Sequence, residues 1–305
     1  MEKVLVTGAT GFIGRQAIPL LKSHGLDVHA ITSKNSKEGL RDDISWHLVD
    51  IFDSEKIAEL CRQVRPTHLL HLAWHNNLKD RFTSPINIRW VEASYHLVRE
   101  FTQNEGKKIV IAGSCQEYDW RYGYCTEQFT PTDSFLIYGK CKILLNELID
   151  EYAQENGIHY ANGRIFFLYG PHQDKTRLIP YVIKSLLMDE KAKLSECTQI
   201  RDYLHVADVA NALVELLLND VTGSVNIASG QPTSLHEVVD IIGKSLNKME
   251  LIEYGAIDSK NDFPVVFGNT SRLQNELGWV PKYSLEEGIE DTINWWKRNL
   301  EKTII

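Results

Sequence analysis

Val4-Leu5-Val6-Thr7-Gly8-Ala9-Thr10-Gly11-Phe12-Ile13-Gly14 is the stretch on which the fold turns. Val4-Leu5-Val6 is a short buried-type strand, and the residues from Arg15 to about His24 follow a helical pattern. Glycines at 8, 11 and 14 join the two. The first permits a tight turn, the second lets the backbone approach a pyrophosphate, and the third lets helix and strand pack closely. The helix N-terminus then offers unpaired N–H groups and a positive dipole end to phosphate oxygens. A glycine triplet that follows the first strand and opens a helix marks a dinucleotide-binding βαβ unit. The expected fold class is therefore α/β, a doubly wound parallel sheet of the Rossmann type.

Moving outward, the next strand, Val28-His29-Ala30-Ile31, ends in Thr32-Ser33-Lys34. An NAD-preferring site carries Asp or Glu about 20 residues past the glycines, to hold the ribose 2′-hydroxyl. None stands here. Hydroxyls and a lysine suit a 2′-phosphate instead, with Arg15 as a second cation, so NADP(H) is expected over NAD(H). The plainer alternative is that Lys34 only begins a solvated loop, since Lys37, Glu38 and Arg41 follow. Trp46-His47-Leu48-Val49 reads as a third strand closing on Asp50-Ile51. Asp50 can accept from an adenine amino group with Ile51 against the ring, or it can cap the helix of residues 54–64. Strand His68-Leu69-Leu70-His71-Leu72 runs to Ala73-Trp74. A helix over about 84–104 carries Trp90, Tyr95, Leu97 and Phe101, which suit core or subunit contacts better than a cofactor site.

Lys108-Ile109-Val110-Ile111-Ala112 is the fifth strand, followed by Gly113-Ser114. Its end lies on the same side of the sheet as the glycine loop. Farther on, Tyr138-Gly139-Lys140-Cys141-Lys142 places a tyrosine and a lysine four positions apart, on one helix face. An ammonium beside a phenol favours the phenolate, which would tune Tyr138 as a general acid/base for a carbonyl or an alcohol. Such pairs also arise by chance on amphipathic helices. Ser114 and the glycine loop make this one a three-part constellation on one crevice.

A sixth strand is expected over Gly163–Tyr169. Beyond it the alternation weakens, and an apolar helix over 207–218 follows Arg201-Asp202-Tyr203-Leu204-His205. The expected division is a cofactor domain over 1–170, to which segments about 201–228 return, and a smaller, discontinuous substrate-binding domain from about 171–200 and 229–305. The 305 residues, 43% hydrophobic and 24% charged, are ordinary for a globular protein that needs no disulfide or metal staple. A net charge of −8 without a basic block argues against a nucleic-acid surface. The five cysteines lack CxxC or Cys/His metal spacing and suit reduced thiols in a cytoplasm, and no metal site is expected. No signal pattern or long apolar run is present, so neither export nor a membrane span is expected.

VTGATGFIG at 6–14, HLAW at 71–74, SCQEY at 114–118, YGKCK at 138–142, LYGP at 168–171, RDYLHVADVA at 201–210 and LGWVP at 277–281 together resemble the extended short-chain dehydrogenase/reductases that act on nucleotide sugars. The resemblance covers nearly the whole chain. It implies that Tyr138 and Lys142 are the proton-transfer pair and that Ser114 hydrogen-bonds the sugar's carbonyl oxygen. Around the cofactor it places Gly8, Thr10, Gly11, Phe12, Ile13 and Gly14, then Leu72, Ala73 and Trp74. It assigns Arg201 to the substrate's diphosphate and Leu178 to the segment over the nucleotide, and it implies a homodimer through the helices at about 84–104 and 140–155. Two departures bear on the reaction. Sugar 4,6-dehydratases carry Asp-Glu after the active hydroxyl residue, where Cys115 and Gln116 stand here. Many relatives have Asn where Phe167 stands. The expectation is an NADPH-dependent reductase of a nucleotide-linked 4-keto-6-deoxyhexose. A nucleotide-sugar 4-epimerase with tightly held NAD is the alternative, and a non-catalytic NADP-binding sensor is more remote.

Overall fold

The computed structural model describes residues 2–33, 41–258 and 262–304. Lys34 lies outside them. The apolar runs form strands β1 (Lys3–Thr7), β2 (Asp27–Thr32), β3 (Ser45–Leu48), β4 (His68–His71) and β5 (Lys108–Ser114). Helices α1 (Gly14–Ser23), α2 (Ser54–Val64) and α3 (Ile86–Gln103) connect them. A two-residue strand, β6 (Tyr124–Cys125), precedes α4 (Ile137–Glu155), and β7 (His159–Ile165) and β8 (Phe167–Tyr169) follow. Then come α5 (Leu178–Leu187), β9 (Ala192–Lys193), β10 (Ile200–His205), α6 (Val206–Leu218), β11 (Gly223–Ile227), β12 (Pro232–Ser234) and α7 (Leu235–Leu246). The chain closes with β13 (Ile252–Glu253), β14 (Val265–Gly268), α8 (Ser271–Asn275) and α9 (Leu285–Ile304).

Seven parallel strands make the main sheet in the order β11-β7-β5-β4-β1-β2-β3. The connections run outward in opposite directions from β1 and β4, so a crevice opens at their C-terminal ends, where open α/β sheets bind ligands. The sheet's two faces bury separate apolar clusters. One holds Val4, Val6, Leu21, Val110 and Leu213, and the other holds Leu5, Leu69, Leu97, Ile109 and Leu145. Strand side chains alternate between faces, which is why Val4 and Leu5 part company.

The strand expected over Gly163–Tyr169 divides at Phe166. β7 ends at Ile165 in the main sheet, and β8 pairs instead with β10 in a second sheet of order β12-β10-β14-β6. Phe166 donates its N–H to Ile227 O at 3.1 Å and buries its ring with Tyr118 and Val266 at the junction. An uninterrupted apolar run hides this change of sheet, because both halves are buried. The return to the main sheet is likewise narrower than 201–228: α6 and β11 belong to it, while β10 belongs to the second sheet. Helices α5, α7 and α9 pack a third core of Ile179, Ile183, Leu186, Val239 and Ile293. Among the described residues no helix is long and apolar enough to cross a membrane.

Candidate active site

A cavity of about 600 Å³ occupies the crevice. Its first wall is backbone. Gly8 has φ +71°, and a Cβ there would lie 2.8 Å from Ala73 N, so loop and β4 end touch only because position 8 is glycine. A Cβ on Gly14 would fall 2.2 Å from Gly8 O. Thr10, Gly11, Phe12 and Ile13 complete this wall, with Leu72, Ala73 and Trp74 beside them. Behind it, Thr7 Oγ1 is 2.6 Å from His71 Nδ1, and His71 Nε2 is 2.8 Å from Ser94 Oγ. Burial holds the His71 imidazole neutral, pushed down to about 3, so β1, β4 and α3 are joined by an uncharged ring.

The opposite wall carries the chemistry. Ser114 ends β5, and its Oγ accepts from Gln116 N at 3.2 Å, which turns the chain sharply away from the sheet. Tyr138 lies in the first turn of α4, edge-on to Phe82 at 5.5 Å and to Trp74 at 6.4 Å between ring centroids. Lys142, one turn on, donates to Ala112 O at 2.8 Å and rests its ammonium 3.8 Å over the Trp74 ring. All three residues line the cavity.

The electrostatics correct one expectation. Burial pushes the Tyr138 phenol up to about 12, opposed by the hydrogen bond from Ser114 and the nearby Arg81 guanidinium. Burial also pushes Lys142 down to about 7. The lysine nitrogen is turned onto a carbonyl and an aromatic face, so it is not what lowers the phenol's proton affinity. Ser114 and Arg81 do that.

Other expected site residues are placed differently. Thr32 is buried at the end of β2 and Ser33 is exposed beyond it, both outside the cavity lining. Asp50 accepts from Phe52 N at 3.1 Å in a local turn, and the residue that caps α2 is Asp53, accepting from Lys56 N at 3.1 Å. Ile51 is buried in the core behind α2. Leu178 begins α5 and packs on the third core, also off the lining. Arg201 is 3% exposed, donates to Asp262 Oδ2 at 2.6 Å and spans the Phe167 ring at 5.3 Å, behind the cavity rather than in it.

Sequence reading passed over Arg81 and Arg177, which line the cavity from the β4–α3 loop and the start of α5. Arg81 keeps a buried Nε without a partner. Loop 75–85 has no periodicity, so nothing in it marks an inward arginine. Trp120 and Phe167, 5.8 Å apart, form the aromatic end of the cavity. Among the described residues no cluster of His, Cys, Asp or Glu could hold a metal ion.

The family model described as NAD dependent epimerase/dehydratase matches residues 4–228. Across 96% of this chain and 97% of its own length, a CDP-abequose synthase of Salmonella typhimurium is 27% identical. A UDP-glucose 4-epimerase of Halalkalibacterium halodurans is 25% identical over 97% of this chain and 96% of its own. The crystal structure of the Thermus thermophilus UDP-glucose 4-epimerase in complex with NAD superposes with a TM-score of 0.85 at 24% identity, covering 97% of this chain and 99% of that one. At that distance the last likeness speaks for the fold.

Proposed function

Because the chain belongs to the NAD dependent epimerase/dehydratase family, we propose that it reduces the C4 keto group of a nucleotide-linked 4-keto-6-deoxyhexose with NADPH. The observation that carries this reading is the chemistry beside Ser114. Cys115 and Gln116 face the cavity where an eliminating enzyme needs two carboxyls. The one nearby carboxylate, Glu117, is fully buried and accepts from Ser114 N, Asn162 and Arg164. No acid/base pair is available to remove water, whereas Ser114, Tyr138 and Lys142 suffice to protonate an alkoxide.

The glycine wall fits a dinucleotide: a cradle a Cβ would fill, closed by α1, whose N-cap has no side chain bonded to its free N–H groups. When bound, the nicotinamide supplies the hydride to C4. Tyr138 gives its proton to the developing alkoxide; a phenol raised to about 12 holds that proton until charge appears on the substrate oxygen. The Ser114 hydroxyl steadies the same oxygen. Lys142, at about 7, is close to balanced between its forms at neutral pH and lies one turn from the phenol, placed to return the proton. Arg81 and Arg177 give the cavity positive charge toward an anionic substrate in a chain of net charge −8.

Thr32 and Ser33 supply hydroxyls rather than an acid where the adenosine ribose is expected, which supports NADPH over NADH. A homodimer is part of the same reading: Ile88, Leu144 and Leu148 are exposed on α3 and α4, which pack together. Sedimentation at micromolar concentration should give twice the mass of one chain.

The second reading, a nucleotide-sugar 4-epimerase with retained NAD, is favoured by the whole-length likeness to UDP-glucose 4-epimerases. The test is NADPH oxidation with CDP-, dTDP-, GDP- and UDP-linked 4-keto-6-deoxyhexoses, with NADH alongside. Rapid oxidation with one nucleotide supports the reductase and identifies the base. No oxidation, from protein that carries unconsumed NAD, supports the epimerase.

A further inference from the structure

We propose that Glu117, anchored by Arg164, is a positioning residue that aims Ser114 and fixes the charge beneath Tyr138 and Lys142. The proposal rests on the reading that these three residues move the proton. Glu117 is 0% exposed and Arg164 5%. One carboxylate oxygen accepts from Ser114 N at 2.8 Å, and the other accepts from Asn162 Nδ2 at 2.9 Å and Arg164 Nε at 2.7 Å. Ser114 is thus gripped at its backbone by Glu117 and at its hydroxyl oxygen by Gln116 N, leaving the O–H free to point at Tyr138.

A buried ion pair is seldom worth more to stability than apolar residues of the same volume. Here it also constrains the sheet. A Cβ on Gly113 would lie 2.2 Å from Asn162 Oδ1 and 2.6 Å from Glu117 Oε1, so β5 omits a side chain to admit the carboxylate. The anchor extends outward: the Arg164 guanidinium lies 4.6 Å from the Tyr118 ring centre, and Tyr118 OH donates to Asn226 Oδ1 at 2.7 Å. Three adjacent strands (β5, β7 and β11) therefore hold one carboxylate at the foot of the site. Such an assembly suits orientation better than stability.

The charge has a second effect. Glu117 favours the ammonium form of Lys142 and disfavours the phenolate of Tyr138. The other titratable groups facing this region are Arg81 from the β4–α3 loop, Cys115 after β5, His71 on β4, and Arg164 and Tyr160 on β7. None of them is a carboxylate.

The test pairs Glu117→Gln, which keeps the shape and removes the charge, with Arg164→Lys, which keeps both charges and alters the fork. Lys142 is titrated by carbon-13 NMR of labelled lysines, which needs no substrate, and kcat and KM are measured against pH. Glu117→Gln is expected to move the Lys142 titration down by roughly one pH unit. It should also lower kcat about tenfold or more while NADPH binding holds. Arg164→Lys should restore most of the titration, and it replaces Glu117→Gln as the test should that variant not fold. A lower melting temperature with kcat and the Lys142 titration unmoved would mean a purely structural ion pair and overturn the proposal. A shifted titration in protein whose wild type turns over no keto sugar would uphold the charge assignment and reject the reaction.

Discussion

The two walls of the cavity are built from different materials. The cofactor wall is main chain: Gly8, Gly11 and Gly14 stand where side chains would collide, and their function is to be small. The substrate wall is side chain: Trp74, Arg81, Trp120, Phe167 and Arg177 define it, and any of them can change without unfolding the sheet. Ser114, Tyr138 and Lys142 stand between the two. A wall made of backbone is read from spacing, and a wall made of side chains is not. Hence the chain is like epimerases and a reductase alike over its whole length, while its reaction depends on the less legible wall.

Substitutions separate the two walls, and the largest effect is expected between them. Tyr138→Phe should lower turnover by about 10²–10⁴-fold, the usual worth of a positioned acid, while NADPH fluorescence shows cofactor binding nearly unchanged. A loss of less than tenfold would remove Tyr138 from the chemistry. Gly14→Ala attacks the backbone wall: its methyl would fall 2.2 Å from Gly8 O, so the loop must open. Cofactor affinity should fall about tenfold or more, with substrate-nucleotide affinity in calorimetry much less affected. Phe167→Asn attacks the other wall by removing the ring stacked near Arg201. Substrate KM should change by about three- to tenfold, the scale of one cation–π contact, with the cofactor KM constant.

The smallest effect concerns the ring behind the cofactor wall. The native pKa of His71 is about 3, below its unfolded value of about 6.5. The unfolded chain therefore binds a proton that the native state refuses between those limits. This contribution is fully present above about pH 6.5 and is lost as pH falls toward 3, at up to about 1.4 kcal/mol per pH unit. Thermal unfolding of His71→Asn should show a shallower acid slope than wild type, and equal slopes would mean that His71 is not buried neutral.

How far the sequence disclosed the molecule follows the same division. The glycine loop, the parallel sheet, α2, and the meeting of Ser114, Tyr138 and Lys142 were legible, because strand and helix periods and close backbone approaches leave marks in spacing. The change of sheet at Phe166 was not, since a continuous buried run looks the same whether it stays in one sheet or crosses to another. Nor was the route by which Tyr138 is tuned. Spacing puts Lys142 beside the phenol, but only the fold turns that nitrogen onto Ala112 O and brings Arg81 in from a loop without pattern. Arg201 shows a further limit: its motif was recognisable, while its partner Asp262 lies 61 positions away.

The most direct test of the central claim is the fate of the hydride. NADPH deuterated at its transferable position is turned over with the nucleotide-linked 4-keto-6-deoxyhexose that reacts fastest, and the product is read by proton NMR. The reductase assignment requires one deuterium at C4 and one NADP⁺ for each sugar reduced. A product epimerised at C4 without deuterium, from protein whose own NAD is unconsumed at the end, would contradict it.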